Sequence, residues 1–304
     1  VISDKGDSAF WVKLKNEKED PALEGKFFIP GGKSEKLIVF IPGLPGDGNT
    51  WMESKFVPSL LREGYSIFCG RHRGTKVNAE GSDTYVNCEE RISKETNQPD
   101  AVLGQVPGKS EYSVIDIADE PRKAIGALHE NFEEVYLIGH SNGAMSIISS
   151  LPKLPKETTD KIRTFISLSG YTSNYDPESD HYDPKGYFDS EGIKEYYDYC
   201  VKFLAMGDPA ENARLKQTIL NSNYESDFPE NINLLMVNSP EDEILPVESA
   251  IQFRDYVERG VVFVDETETE EDFHDLNALT PQTLKRMLQI YHPKAKHTVP
   301  LTKK

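Results

Sequence analysis

One stretch near the middle of the chain restricts its folding more than any other: Glu134-Val135-Tyr136-Leu137-Ile138-Gly139-His140-Ser141-Asn142-Gly143-Ala144-Met145. Val135 to Ile138 are apolar or aromatic and β-prone, the composition of a strand buried on both faces. Ala144 to Leu151 continue with helix-compatible spacing until Pro152 stops them. Between the two lies Gly-x-Ser-x-Gly, so the chain must turn sharply from strand to helix at Ser141. A turn this tight holds the serine in a strained backbone conformation, and Gly139 and Gly143 have no side chains to clash there.

The rest of the chain supplies partners for that strand and helix. Residues 9–14 and 24–29 read as an antiparallel opening pair, separated by polar residues around Asn16 to Pro21. Lys36 to Ile41 is a continuous apolar run closed by Pro42-Gly43-Leu44-Pro45-Gly46-Asp47-Gly48, a buried parallel strand feeding a Gly-rich loop. Phe56, Leu60 and Leu61 have helical spacing, ended by Gly64, and Tyr65 to Cys69 form the next strand. Ile115 to Phe132 reads as a helix whose buried stripe is Ile115, Ile117, Ala118, Ala124, Ile125 and Leu128. Strands follow at 163–168, 233–237 and 261–264, with helices at 249–257 and 283–291. Strands alternating with helices after an initial β pair imply an α/β fold, with a mostly parallel sheet covered by helices on both faces.

Two segments exceed ordinary connections, and loops of such length in compact folds tend to be functional. Arg71 to Tyr112 is polar with little periodicity. The segment from Gly170 to Pro229 is rich in tyrosine, and Ile193, Tyr196, Tyr197, Cys200 and Leu204 give it helical spacing of its own. The expected organisation is a core of residues 1–170 and 230–304 with a small helical cap at 171–229. The cap's aromatic residues serve either to glue it to the body or to line a pocket as well.

Composition narrows the partners. With 51 Asp and Glu against 34 Lys and Arg, the formal charge is −17, which disfavours nucleic acid and anionic membrane surfaces. No apolar run approaches the roughly 20 residues needed to span a bilayer. Cys69, Cys88 and Cys200 are odd in number and widely spaced, which argues for a reducing compartment rather than a disulfide framework. A cytoplasmic location is therefore expected, although a chain opening on Val1 leaves room for a removed leader.

Ser141 becomes a nucleophile only if a base takes its proton and a carboxylate orients that base. Among seven histidines, His274 has the suitable position. It lies in Phe273-His274-Asp275-Leu276, beyond the last apolar strand and before the last helix, where a loop at the carboxyl edge of the sheet can reach Ser141. His140 adjoins the serine, with its side chain expected to point elsewhere. His72, His129 and His181 fall before the serine or in the cap, and His292 and His297 belong to the polar C-terminal end. The loop Asn238-Ser239-Pro240-Glu241-Asp242-Glu243 follows a strand and offers the acid, with Asp242 preferred and Glu243 second. Solvated surface is the plainer account of that acidic loop. Two N–H groups would hold a developing oxyanion: Asn142, next to the nucleophile and at the positive end of the helix, and Leu44, since Pro45 has no N–H to give.

On these residues the chain resembles the α/β-hydrolases, from Lys36 to the final helix. The order Ser141, Asp242, His274 matches the family's nucleophile, acid and base. The Asp242-x-Ile244-Leu245-Pro246 and Phe273-His274-Asp275-Leu276 stretches resemble its acid and histidine loops. The family usually has His-Gly where this chain has Pro42-Gly43. Arg71-His72-Arg73-Gly74 resembles a strand-end Arg-Gly of many members, departing from the usual acidic position. Those three cationic or ionisable residues either attract an anionic substrate or form a structural turn.

The resemblance implies a serine hydrolase that needs no cofactor or metal and cleaves small to medium carboxylic esters through an acyl-enzyme. Members that use Asp at this elbow, the haloalkane dehalogenases and epoxide hydrolases, are disfavoured by Ser141. A peptidase or amidase on the same triad is the rival enzyme, and a hydrolase-fold ligand-binding protein without turnover is the rival of another class.

Overall fold

The computed structural model describes residues 6–14, 23–43, 52, 55–71, 75–77, 85–87, 91–92, 99–100, 120–170, 228–240, 242, 247–257, 260–265, 279–289 and 297–301. Among them, nine strands build one sheet in the spatial order β1-β2-β4-β3-β9-β10-β11-β12-β13. β1 (Ser8–Leu14) and β2 (Leu23–Ile29) pair antiparallel, and β2 pairs antiparallel with β4 (Tyr65–Arg71). From β4 onward every pairing is parallel, through β3 (Lys36–Ile41), β9 (Glu134–His140), β10 (Ile162–Leu168), β11 (Asn233–Asn238), β12 (Gly260–Asp265) and β13 (His297–Leu301). Four short strands form two separate two-stranded ribbons: β5 (Thr75–Val77) with β6 (Tyr85–Asn87), and β7 (Arg91–Ile92) with β8 (Pro99–Asp100).

Alternation along each strand assigns its residues to two apolar layers. Leu37, Val39 and Ile41 of β3, Val135 and Leu137 of β9, and Leu234 and Met236 of β11 belong to one cluster. It also takes in Ala124 and Ile125 of α2 (Glu120–Leu128), Ala144, Ile147 and Ile148 of α3 (Asn142–Ser150), and Ala250 and Phe253 of α5 (Val247–Tyr256). Ile38, Phe40, Tyr136, Ile138, Leu235 and Val237 belong to the opposite layer. There they join Val57, Leu60 and Leu61 of α1 (Val57–Arg62) and Leu284, Met287 and Leu288 of α6 (Pro281–Gln289). Helices thus cover both faces, which is why the central strands are apolar without alternation. The short α4 (Lys156–Thr159) leads into β10.

The expected opening pair, the central strands and the two-sided cover are all present. The helix foreseen at 115–132 is α2 followed by a 3-10 turn at His129–Asn131, with 111–119 outside the described residues. β13 replaces an expected polar end. Except for Phe228 and Pro229, the expected cap at 171–229 also lies outside the described residues.

Candidate active site

The carboxyl ends of β9, β10 and β11 carry the site. Ser141 has φ 51° and ψ −124°, a region that L-residues rarely occupy. Its N–H donates to the Leu168 carbonyl at 2.9 Å, carrying the β9–β10 ladder one step past His140. Its carbonyl then accepts the Ala144 N–H at 3.0 Å, so the same residue ends the strand and begins α3. Ser141 is 6% exposed, and its side chain makes no capping hydrogen bond to the helix it precedes. The nine residues of α3 direct their positive dipole end to this point.

Close packing explains both flanking glycines. A methyl group at Gly139 would stand 2.5 Å from Ala144 Cα and 2.7 Å from Ala144 N. One at Gly143 would run into the carbonyl oxygens of Ile41 and Pro42. The elbow helix is therefore pressed against the end of β3, and the early Gly-rich loop leaves β3 beside it. At Gly43 a methyl would meet Ser141 Cβ at 2.8 Å and His140 Nδ1 at 3.0 Å. The backbone at Gly43, just before Leu44, thus passes directly beside the candidate nucleophile, the residue that precedes Asn142 at the start of α3. Leu44 itself lies outside the described residues.

Asp242 is placed at the same edge. β9, β10 and β11 are neighbours, so the ends of β9 and β11 stand about 10 Å apart at ordinary strand spacing. Its N–H donates to the Ser239 carbonyl at 3.3 Å in the turn that leaves β11. Only 4% of Asp242 is exposed, which removes the solvated-surface account for this member of the acidic loop. Glu243 and His274 lie outside the described residues, as do His72 and Arg73, while Arg71 ends β4.

His129 is placed elsewhere, as expected. It follows α2 and precedes β9, at the amino edge of the sheet. Its Nδ1 lies 3.0 Å from the Ile125 carbonyl and 3.2 Å from that of Gly126; carbonyls only accept, so Nδ1 carries a proton. Its Nε2 meets the Thr158 hydroxyl at 3.3 Å, which makes it a tie between α2 and α4.

Sequence reasoning missed two residues in the same row. Ser169 follows β10 with φ 42°, and Ser141 and Ser169 are the two non-glycine residues of positive φ among the described ones. Asn238 ends β11, fully buried. Ser169 lacks the Gly-x-Ser-x-Gly setting that marks Ser141, and an asparagine closing an apolar run resembles an ordinary strand-to-turn exit. Among the described residues, no group of three or more His, Cys, Asp or Glu could hold a metal ion, and no helix is long and apolar enough to cross a membrane.

Comparison with solved structures finds the same fold in three hydrolases. Over 92% of this chain and 98% of the other, the structure is similar to Est1E from Butyrivibrio proteoclasticus, with a TM-score of 0.57 and 14% identity. It is similar to the esterase EaEST from Exiguobacterium antarcticum over 87% and 96% of the two chains, with a TM-score of 0.54 and 14% identity. The acylaminoacyl peptidase of Pyrococcus horikoshii matches 96% of this chain at a TM-score of 0.56 and 15% identity, but the chain spans only 43% of that peptidase's length. At these identities the likeness is one of fold. Comparison with curated proteins gives no match. The family model of the alpha/beta hydrolase fold matches residues 36–208, more than half of the 304 residues. With the strand order, the elbow at Ser141 and this match in agreement, the chain belongs to the α/β-hydrolase family.

Proposed function

We propose that this protein is a serine hydrolase of carboxylic esters, with Ser141 as nucleophile, His274 as base, Asp242 as the acid that orients it, and the N–H groups of Asn142 and Leu44 as the oxyanion hole. The observation that carries this reading is the conformation of Ser141: positive φ, nearly buried, and held between a strand ladder and a helix N-terminus. Strain of this kind persists only where the surroundings enforce it, and in a nucleophile elbow it serves to present the serine hydroxyl at the sheet edge.

Ser141 Oγ attacks the ester carbonyl carbon while the imidazole of His274 takes its proton. The carbonyl oxygen becomes an oxyanion, which accepts hydrogen bonds from the two N–H groups. As the intermediate collapses, the carbon–oxygen bond to the alcohol breaks and His274 returns the proton to the departing alkoxide. Water, deprotonated by the same imidazole, then attacks the acyl-enzyme, releasing the carboxylic acid and restoring Ser141. A carboxylate as deeply buried as Asp242 is suited to orienting a base that becomes an imidazolium, because screening by water is weak there. The gap of about 10 Å between the ends of β9 and β11 accommodates an imidazole between hydroxyl and carboxylate.

A substrate panel tests the proposal. Aryl and alkyl esters of graded acyl length are compared with aminoacyl amides and short peptides, using the protein and its Ser141→Ala variant. Ester turnover lost in the variant supports the reading. Turnover confined to amides or peptides replaces it with a peptidase, and binding without turnover replaces it with a ligand-binding protein.

A further inference from the structure

The early loop leaves β3 through a corner that has an imidazole as one wall. The β3–β9 register sets Ile41 against Gly139, so Pro42 follows level with His140. Alternation along β9 puts His140 on the face of Tyr136 and Ile138, and its β10 partner Leu168 belongs to that same apolar layer. Gly43 is buried in the corner, and a methyl on it would stand 2.8 Å from Ser141 Cβ and 3.0 Å from His140 Nδ1. One backbone position therefore faces both the candidate nucleophile and the ring beside it. The opposite wall is α3, which packs in the other layer: a methyl at Gly143 would run into the Pro42 carbonyl.

What is bonded to Gly43 gives this contact its consequence. A peptide unit is planar from one Cα to the next, so the Gly43 Cα and the Leu44 N–H move as one rigid piece. Any shift of Gly43 carries the proposed oxyanion donor with it. Beyond the loop the chain returns to the face that His140 occupies, where Met52 and Phe56 are fully buried in the layer of Phe40 and Ile138. That layer has no need of an imidazole: His140 is only partly buried, and it closes a strand whose residues from Val135 to Ile138 are apolar or aromatic.

Resting on the serine-hydrolase reading above, we infer that His140 is a positioning residue for the oxyanion hole: its ring holds the Gly43 backbone, and with it the Leu44 N–H, at a set distance from Ser141. The role is steric, and proton transfer stays with His274. Without the ring, the start of the loop has room to move toward the space it leaves, and the donor moves off the oxyanion. Because that charge develops only in the transition state, the loss falls on kcat rather than on substrate binding.

The test compares His140→Ala, which removes the ring, with His140→Asn, whose amide group places an atom where Nδ1 stands. Measured are kcat, KM, the pH profile of kcat and the affinity for a trifluoromethyl ketone, which forms an oxyanion on reaction with a serine hydroxyl. His140→Ala is expected to lose about 10–100-fold in kcat with KM within about twofold, and to bind the ketone more weakly by a similar factor. His140→Asn should restore kcat to within about threefold, and both variants should keep the acid limb of the pH profile. If His140→Ala does not fold, His140→Ser removes the same ring and carries the comparison. Unchanged kcat in the small variant, an equal loss in His140→Asn, a rise in KM in place of the fall in kcat, or loss of the acid limb overturns the inference while leaving Ser141 as the nucleophile. An unsubstituted protein that neither turns over esters nor reacts with a phosphonate at Ser141 overturns the function itself, and this inference with it.

Discussion

Replacing Gly139 by alanine isolates the fit between the elbow helix and the strand before it. The added methyl would lie 2.5 Å from Ala144 Cα, 2.7 Å from Ala144 N and 2.9 Å from Gly143 C, all backbone atoms. No side-chain rotation relieves such contacts, so α3 must move away from β9 by about 1 Å to restore ordinary van der Waals separation. Overpacking of this kind costs about 1–3 kcal/mol. For a domain of this size that corresponds to a thermal midpoint lower by roughly 2–10 °C. The same displacement would carry the Asn142 N–H away from the proposed oxyanion position, and misplacement by about 1 Å costs about 100-fold in rate. Gly126→Ala is the control: it lies within α2, and its methyl would meet nothing within 4 Å. Removing that helical glycine should raise stability by about 0.4–1 kcal/mol and leave turnover unchanged. Differential scanning calorimetry and ester kinetics on both variants provide the readout. Wild-type midpoint and kcat in Gly139→Ala would refute the argument that close backbone packing sets the elbow.

Other substitutions separate the roles of the site residues. Ser141→Ala should abolish ester turnover while leaving the thermal midpoint and circular dichroism unchanged. On the proposed triad, Asp242→Asn should lower kcat by about 10³–10⁴-fold, since it keeps the shape but not the charge proposed to orient the base; near-full activity would move the acid role to Glu243. Turnover should fall at acid pH as imidazole takes up a proton, and a His274→Ala variant should lack that limb along with most of its activity. Leu137→Ala, at a fully buried position of β9, should destabilise the fold by about 2–5 kcal/mol in chemical denaturation.

Much of the sheet was legible because its central strands are buried on both faces. Lys36–Ile41 and Asn233–Asn238 are nearly unbroken apolar runs, and no helix of a surface type would be written that way. The edge was harder to read. His297-Thr-Val-Pro-Leu301 forms β13, although Pro300 and two polar residues hide it; an edge strand tolerates a proline that a central one would not. α2 carries Glu120 and Lys123 on its buried side, where spacing of apolar residues gives no warning. At the candidate site, the elbow at Ser141 was legible because so tight a turn demands glycines on both sides, and the turn that holds Asp242 was legible because acidic residues follow an apolar strand. Ser169 and Asn238 left no comparable trace. Their backbone angle, burial and register arise only once three strands lie side by side.

In the proposed mechanism, the backbone at Ser141 makes one hydroxyl reactive toward acyl and phosphoryl centres. Intact-mass measurement of the folded protein after treatment with a fluorophosphonate, followed by peptide mapping, tests it directly. One adduct per chain on the peptide containing Ser141, absent after Ser141→Ala and absent from the denatured protein, is the predicted result. A folded protein that stays unlabelled, or one labelled equally in the Ser141→Ala variant, would contradict it.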